Sequence, residues 1–575
     1  MAGGEPRPAR GDSNERAIPE RAIGRGDDAP KKLSDGREGY PGRGWGAVTK
    51  RGGGQLNARQ LTGVIKDCRE AGELARILQE QSGALDQIHV SAAWVCLARI
   101  GRGRGGGEVG DVVGPLQEKT RGVLDQAGGR QIANVMHSMA KLHKWRRWLD
   151  ATDRGLLEAM QRRATATVGE FKPQNVANML WALATMGERA DRGLLEAMQR
   201  RATATAGDFK PQGVGNVLWA LATMGEKVDP GLLKAMQGRA TETAGDFKPQ
   251  EVANVLWALA TMGEKADPGL LEAMQRRAMA TAGEFNSQDV GNVLWALATI
   301  GEGADRELLK AMQRRATATA GEYKPQGVGN VLWALATMGE SANRELLDAM
   351  GGRATETAGE FKPQDVGNVL WALATMGGAA DPGLLEAMQR RATAAAAEFN
   401  PQDVANVLWA LTVLGGGAGG ILQEGIGMDR LAARVLELRH QFTDGAKSQL
   451  HHWLLACDLS SLERLPGASG AALPSDVARV KHEMGGECLA AFSALEVLGG
   501  RASLLQLQKD PLQEEVCAEV SAALRSAGLE VEVEEGYRDA RSGYTIHVLV
   551  RPRAAETAQA SASAGTTAGG VSLEG

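Results

Sequence analysis

The sequence predicts an all-α protein built as an α-solenoid of helix–turn–helix repeats. The 575-residue chain contains more Trp than Phe, 12 against 8, which indicates that one Trp-containing unit has been copied. Seven tryptophans are spaced by 38 residues, a period typical of stacked helical units. Within each copy, apolar residues recur at intervals of three and four, as on one face of a helix. The evenly spaced residues are Trp181, Trp219, Trp257, Trp295, Trp333, Trp371 and Trp409.

The copy at 209–246 carries start and stop signals for two helices. Pro211 suits the first turn of the first helix, helix A, and Gly225 supplies a left-handed stop after it. Asp229 is a favourable N-cap for the second helix, helix B, and Pro230 follows at its first position. Each helix has an apolar stripe that needs a partner, so neighbouring copies should stack.

Weaker copies flank the regular array. Gln131–Met136 matches the start of helix A, with His137 in place of Trp, and 89–101 matches more faintly. Downstream, 442–459 resembles a degenerate helix A. We predict a disordered Gly/Arg-rich segment (1–55), degenerate helical repeats (56–150), regular repeats (151–415), degenerate repeats with a connector (416–512), a small α/β module (513–553) and a disordered tail (554–575).

The small module is predicted from three segments near the C-terminus. Residues 516–527 form an amphipathic helical pattern, and 529–534 and 544–550 alternate or run apolar like strands. A Gly/Asp/Arg-rich turn joins the two strands, and the chain after Pro552 has the composition of a disordered tail.

Charge and motif content exclude several classes of function. The 65 Lys and Arg against 70 Asp and Glu give a formal net charge of −5, which excludes a polycation that coats nucleic acid indiscriminately. The five cysteines lack zinc-site spacing, and no phosphate-binding, hydrolase or kinase motif is present. No apolar run is long enough to cross a membrane. We therefore expect no catalysis, metal, cofactor or membrane insertion.

Helix A offers a candidate RNA-reading surface. Residue 213, Asn216, Ala220 and Thr223 form a polar ridge beside Trp219. An amide both donates and accepts, which suits reading a base edge, whereas the alternative role is an Asn ladder between neighbouring copies. The candidates for base contact are Asn178, Asn216, Asn254, Asn292, Asn330, Asn368 and Asn406. The tryptophans we interpret as core between copies rather than as a stacking platform.

A second candidate position lies three residues before each Asn. It differs between copies, as specificity positions do in proteins that read one base per repeat. It is occupied by Asn175, Gly213, Glu251, Asp289, Gly327, Asp365 and Asp403, and the polar members are further candidates for base contact. Because Asp, Asn and Gly also favour helix starts, a purely structural role stays open.

Helix B carries a basic row. An Arg such as Arg276 follows a Glu by four residues, which favours an ion pair within the helix. The next Arg has Ala at that distance, so we interpret it as open to a phosphate, with a solvated face as the alternative. The phosphate-contact candidates are Arg163, Arg201, Arg239, Arg277, Arg315, Arg353 and Arg391.

The repeat unit P-Q-x-V-A-N-V-L-W-A-L-A-T-M-G resembles the octotricopeptide repeat. Residues 520–531 and 543–546 resemble the opening of a RAP domain, and FAST kinase domain-containing proteins are similar in joining helical repeats to RAP. The resemblance implies binding of single-stranded organelle RNA in the mitochondrial matrix or the chloroplast, alongside other RNA-processing proteins. RAP domains usually have an acidic residue where this chain has His547, and a later acidic segment is absent, so nuclease activity is not expected.

Two functions follow from this reading. The first is sequence-selective binding of single-stranded RNA that supports processing, stability or translation of organelle transcripts. Because the copies are nearly identical, one base per copy would predict a target of one or two base types. The alternative is a protein–protein scaffold of the HEAT or armadillo kind that uses the same surface for a peptide.

Overall fold

A computed structural model describes residues 56–102, 107–146, 154–188, 190–301, 304–377, 382–414, 425–462, 478–485, 487–488, 531–534, 537–538, 545–546 and 549–552. The chain divides into two compact units, Met1–Ala354 and Thr355–Gly575. The predicted terminal disordered segments, 1–55 and 554–575, lie outside the described residues.

In the first unit, helices alternate between two layers. The A layer contains α1 (Ala58–Asp67), α3 (Gln87–Gly101), α5 (Gly129–Arg146), α7 (Pro173–Met186), α9 (Pro211–Met224), α11 (Pro249–Met262), α13 (Ser287–Ile300) and α15 (Pro325–Thr337). The B layer contains α2 (Ala71–Glu80), α4 (Gly107–Val123), α6 (Arg154–Ala166), α8 (Arg192–Ala204), α10 (Pro230–Glu242), α12 (Pro268–Ala280), α14 (Arg306–Ala318) and α16 (Arg344–Glu356). Consecutive A helices pack closely, whereas consecutive B helices pack more loosely. The predicted α-solenoid is confirmed.

The second unit continues the same alternation. Its A helices are α17 (Pro363–Met376), α19 (Pro401–Leu414) and α21 (Asp444–Leu462), and its B helices are α18 (Pro382–Ala394) and α20 (Gly425–Leu438). Helix α21 packs on α19 as a further A helix, as the degenerate copy at 442–459 predicts. A further helical stretch covers 478–485 and 487–488.

The helix boundaries follow from local signals. Gly225 adopts φ 68°, which an L side chain rarely tolerates, and its N–H donates to the Ala222 carbonyl at 3.2 Å. The Asp229 carboxylate accepts from the Leu232 N–H at 2.9 Å and caps α10. Both predictions are confirmed. A three-residue 3-10 turn follows helix B in each regular copy.

One aromatic ring per copy is fully buried after that turn. These rings belong to Phe171, Phe209, Phe247, Phe285, Tyr323, Phe361 and Phe399. Burying a side chain of this size contributes about 2 kcal/mol to folding. Each copy therefore contributes its own part of the hydrophobic core.

Close packing within the A layer requires a small residue on each A helix. A Cβ added to Gly215 would lie 3.5 Å from the Glu251 carbonyl oxygen and 3.7 Å from Cβ of Asn254. The other copies hold Ala or Gly at this position, which keeps neighbouring A helices near each other. The polar residues of successive A helices are thereby placed in register.

Near the C-terminus the chain forms an interrupted hairpin. Strand β1 (Val531–Glu534) pairs antiparallel with β4 (Leu549–Pro552), and β2 (Tyr537–Arg538) pairs with β3 (Thr545–Ile546). The two pairs share one register, so they belong to the same hairpin. The predicted helix at 516–527 lies outside the described residues. A hairpin alone does not support the predicted α/β RAP module.

Candidate nucleic-acid interface

A polar stripe runs along the exposed side of each A helix. In α9 it contains Gln212, Asn216 and Thr223, with the buried Trp219 at its margin, and these residues are spaced by three or four and lie on one face. We call the equivalent four positions in every copy the A-face stripe. The predicted ridge needs correction, because Ala220 is fully buried while Gln212 is exposed.

The Asn of the stripe is half-buried in most copies and lacks an internal partner. Within the described residues, the side chains of Asn178, Asn216, Asn254, Asn292, Asn330 and Asn368 form no hydrogen bond. Neighbouring asparagines therefore form no hydrogen-bonded ladder among these six, and base contact by them stays a prediction. The seventh, Asn406, accepts hydrogen bonds from two glutamines.

The tryptophans line the margin of the stripe. Trp219, Trp257 and Trp409 are buried, as the core interpretation predicts, whereas the other four are half-buried. The rings of Trp257 and Trp295 lie 6.5 Å apart between centroids and are tilted by 36°. His137, which replaces Trp in the copy before, meets the ring of Trp181 edge-on at 4.9 Å.

The position that varies between copies caps its own helix in three of them, through Asn175, Glu251 and Asp365. The Glu251 carboxylate accepts from the Lys248 N–H at 2.9 Å, and Asn175 accepts from Lys172 N–H at 3.3 Å. Asp289 accepts from the Asn286 side-chain amide at 2.8 Å. Asn175, Asp289, Asp365 and Asp403 are also buried. These four side chains are buried in this structure, and base contact at this position stays a prediction.

Burial changes the acidity of these carboxyl groups. Loss of hydration raises the pKa of Asp289 to about 7, although the hydrogen bond from Asn286 opposes the shift. Desolvation and the nearby Asp365 raise the pKa of Asp403 to about 7. Burial also raises the pKa of Glu251. The negative charge at the start of these A helices is therefore weaker than the sequence implies.

The basic row of helix B has a structural partner in every copy. Each Arg donates from Nε to a backbone carbonyl at the start of the same copy, a contact we call the Arg staple. The donors and acceptors are Arg163–Ala127 (3.0 Å), Arg201–Phe171 (2.8 Å), Arg239–Phe209 (2.8 Å), Arg277–Phe247 (2.6 Å), Arg315–Phe285 (2.5 Å), Arg353–Tyr323 (2.7 Å) and Arg391–Phe361 (2.6 Å). The premise that these arginines are unengaged is wrong. Phosphate contact through their other nitrogens stays a prediction.

The ion pairs predicted on the outer side of helix B are confirmed. Arg276 Nη1 lies 2.9 Å from the carboxylate of Glu272, and both side chains are 69% exposed. The same spacing joins Arg162 to Glu158 at 4.0 Å, Arg200 to Glu196 at 3.9 Å and Arg390 to Glu386 at 3.7 Å.

Sequence reasoning missed a row of glutamines that joins successive B helices. The side-chain oxygen of each accepts from the N–H of the residue that caps the next B helix, a contact we call the Gln clamp. The pairs are Gln161–Asp191 (2.7 Å), Gln199–Asp229 (2.8 Å), Gln237–Asp267 (2.7 Å), Gln275–Asp305 (2.8 Å) and Gln313–Asn343 (3.0 Å). A polar residue in the same register of each copy, just inside the apolar stripe, was the available signal.

A row of exposed lysines was also missed. One Lys immediately precedes Pro at the start of most regular A helices, two residues before the Gln of the A-face stripe. The row consists of Lys172, Lys210, Lys248, Lys324 and Lys362. The N-terminus of a helix favours anions, so each Lys adds its charge where a phosphate is already favoured.

No helix in the part of the chain that the structure describes is long and apolar enough to cross a membrane. Among the same residues, no group of His, Cys, Asp and Glu side chains is arranged to hold a metal ion.

A family model described as RNA-editing substrate-binding complex 6 protein matches residues 124–381, somewhat less than half of the chain. A second model, for a protein of unknown function, matches residues 380–408. The first match spans most of the regular array and its degenerate upstream copy. Neither of these models is the octotricopeptide repeat or the RAP domain.

No curated protein matches the chain at a significant level. Solved structures with detectable similarity include a homology model of the full-length AP-3 complex in an intermediate open conformation, at 9% identity and a TM-score of 0.29, covering 76% of this chain and 88% of that one. A crystal structure of an engineered protein has 12% identity and a TM-score of 0.16, covering 72% of this chain and 98% of that one. At such TM-scores, neither likeness informs the fold or function.

Proposed function

We propose that the repeat array binds single-stranded RNA along the A-face stripe and takes part in mitochondrial RNA processing. The family model that matches 124–381 is named for an RNA-editing substrate-binding complex, which supports an RNA-related role for this helical-repeat protein. The resemblance to octotricopeptide repeat proteins supports the same role. The match to an RNA-editing complex family supports the mitochondrion rather than the chloroplast, so we propose the mitochondrion.

The observation that carries this proposal is the row of asparagine amides without internal partners. Six such amides repeat in register and are not occupied by the protein's own groups among the described residues, so they are available to a polar ligand. An amide can donate to and accept from a base edge, and in four copies a half-buried tryptophan beside it offers apolar contact to the base.

The lysine row supplies the electrostatic part of the proposed interface. Lys210 and Lys248 are exposed at the starts of consecutive A helices and form no ion pair within the described residues. Each phosphate that a Lys neutralises releases counterions, which makes binding dependent on salt. The neutral array can therefore bind RNA locally without being a polycation.

The accessible positions of the stripe are the same in nearly every copy, and the position that varies is mostly buried. Identical copies would share one base preference. We therefore propose an RNA target rich in one or two base types, bound without catalysis.

The test is binding to the four RNA homopolymers over a series of salt concentrations. We expect one or two homopolymers to bind better than the rest, with affinity falling as salt rises. The double variant Lys210→Gln/Lys248→Gln should weaken binding and reduce the salt slope. Lys234→Gln, which removes an exposed charge from helix B, is the matched control and should change neither.

Equal, weak and salt-insensitive binding to all four homopolymers would reject the proposal. If partner proteins are then lost on mutating the A-face stripe while RNA binding never appears, the protein is a scaffold. Fractionated mitochondria that lack the protein would reject the proposed location.

A further inference from the structure

In the last regular copy, the Gln and Asn of the A-face stripe bind a side chain of the protein itself. We call the space beside such a Gln and Asn pair a slot. The amide nitrogen of Gln402 donates to Oδ1 of Asn406 at 2.9 Å and to Oε1 of Gln449 at 3.0 Å. The amide nitrogen of Gln449 donates to Oδ1 of Asn406 at 3.0 Å. Gln449 is 2% exposed, so its amide is held inside the slot.

Gln449 stands where the next copy would place its own Asn. It lies 43 residues after Asn406, and the alignment of 442–459 with helix A puts it at the Asn position of α21. In the regular array this position holds Asn, and neighbouring asparagines do not meet. Glutamine is longer by one methylene group, and here it reaches the preceding Gln and Asn.

The other end of the array shows a related contact. Asn134 of α5 donates to the hydroxyl of Ser91 in α3 at 3.5 Å, and these residues are also 43 positions apart. At each end of the array an Asn of this register is thus engaged internally, Asn134 and Asn406, whereas the six between them have no partner in the described residues.

The contacts of Gln449 define the chemistry that the slot accepts. A primary amide presents an N–H donor and a C=O acceptor side by side, and the slot engages both. In a trans peptide group these two point in opposite directions, so an extended peptide cannot fill the slot in the same way. The Watson–Crick edges of nucleobases place a donor next to an acceptor, as the amide of Gln449 does.

We propose that the Gln and Asn of each regular A-face stripe form a slot for the Watson–Crick edge of one unstacked base, and that Gln449 closes the last slot by imitating a base. This inference rests on the proposed RNA binding and specifies its contacts. The open slots are Gln174/Asn178, Gln212/Asn216, Gln250/Asn254, Gln288/Asn292, Gln326/Asn330 and Gln364/Asn368. Gln402/Asn406 is the closed one.

Two opposite variants test the proposal without changing any charge. Asn216→Gln/Asn292→Gln should close the slots of Asn178 and Asn254 as Gln449 closes that of Asn406. Gln449→Asn should open the last slot. The assay is binding of the intact chain to oligomers of increasing length made from the homopolymer that the wild type prefers.

The closing variant should bind RNA at least about tenfold more weakly for each of the two closed slots, which is the scale of one bidentate base contact, because it also replaces the Asn of the slots Gln212/Asn216 and Gln288/Asn292. Its salt slope should match that of the wild type because the phosphate contacts are kept. The opening variant should need an oligomer longer by one nucleotide to reach full affinity.

Failure of this proposal is distinct from failure of RNA binding. A wild type that binds no homopolymer rejects both. A wild type that binds, with a closing variant of equal affinity, rejects the slots alone. A reduced salt slope in the closing variant would assign the loss to phosphate contacts and would also reject them. If the closing variant melts at a lower temperature, the opening variant decides, and an unchanged oligomer length rejects the proposal.

Discussion

The two layers of the solenoid use the same kinds of polar residue in opposite ways. In the B layer, glutamine and arginine side chains are engaged by the Gln clamps and Arg staples. In the A layer, the Asn of the stripe repeats as regularly but forms no hydrogen bond in six described copies. Regular recurrence in a repeat sequence therefore does not identify function. The partners of the recurring side chain do.

The same comparison distinguishes two roles of positively charged side chains. Arg277 is a partly buried connection within its copy, whereas Lys248 is exposed beside the A-face stripe. A charge-based search for an RNA interface selects both. Their surroundings assign Arg277 to stability and Lys248 to the candidate interface, and each assignment can be tested by experiment.

The largest effect is expected from removing an Arg staple. Arg277→Met keeps much of the aliphatic stem but loses the hydrogen bond to the Phe247 carbonyl, which should cost about 2–3 kcal/mol of unfolding free energy. Arg276→Met removes the neighbouring exposed charge and should cost under about 0.5 kcal/mol. Urea unfolding of both variants measures the difference. Equal losses would remove the distinction between staple and surface charge.

The second effect, about 2 kcal/mol of unfolding free energy, concerns the buried carboxyl of Asp289. Its pKa is about 7 in the folded protein, against an ordinary value of 3.8, so the folded state holds the proton more tightly. This contribution to stability is complete below about pH 4 and is lost as pH rises through about 7. Asp289→Asn should therefore become progressively more stable than the wild type as pH rises from 4 to 8. A constant difference between the two over this range would contradict the prediction.

The smallest effect compares two glutamines in opposite layers. Gln275→Ala removes the acceptor for the Asp305 N–H and should lower the unfolding free energy by about 1 kcal/mol. Gln288→Ala, on the A-face stripe, should change stability by a few tenths of that amount and weaken RNA binding instead. Thermal unfolding and homopolymer binding are measured on both. If Gln275→Ala weakened RNA binding and Gln288→Ala lowered the unfolding free energy, the roles given to the two layers would be reversed.

Local signals were sufficient to predict the helices. Gly225 and Asp229 act on backbone groups within four residues, so their roles can be predicted from the neighbouring residues in the sequence. The period of 38 then implies stacking, because each copy presents apolar faces that a neighbour must cover.

The site was predicted less completely because its decisive contacts join residues far apart in the chain. Arg239 meets a carbonyl 30 residues earlier, so its partner cannot be read from helix B. The exposure of Asp289 depends on the packing around the helix start rather than on its residue type. Gln449 aligns with Asn406 only after an insertion of five residues relative to the regular period.

The Gln clamp has a consequence for the number of copies that this architecture can hold. The side-chain oxygen of Gln199 accepts from the Asp229 N–H in the copy after it, and the Asp191 N–H donates to Gln161 in the copy before it. The four copies between residues 171 and 322 therefore have the same connector at entry and exit, whereas Gly351 leaves the following copy without a Gln at this position. Deleting or duplicating one of these four 38-residue units rejoins a Gln to the same kind of N–H donor, so the length of this part of the array can change in whole units without leaving a helix start unsatisfied.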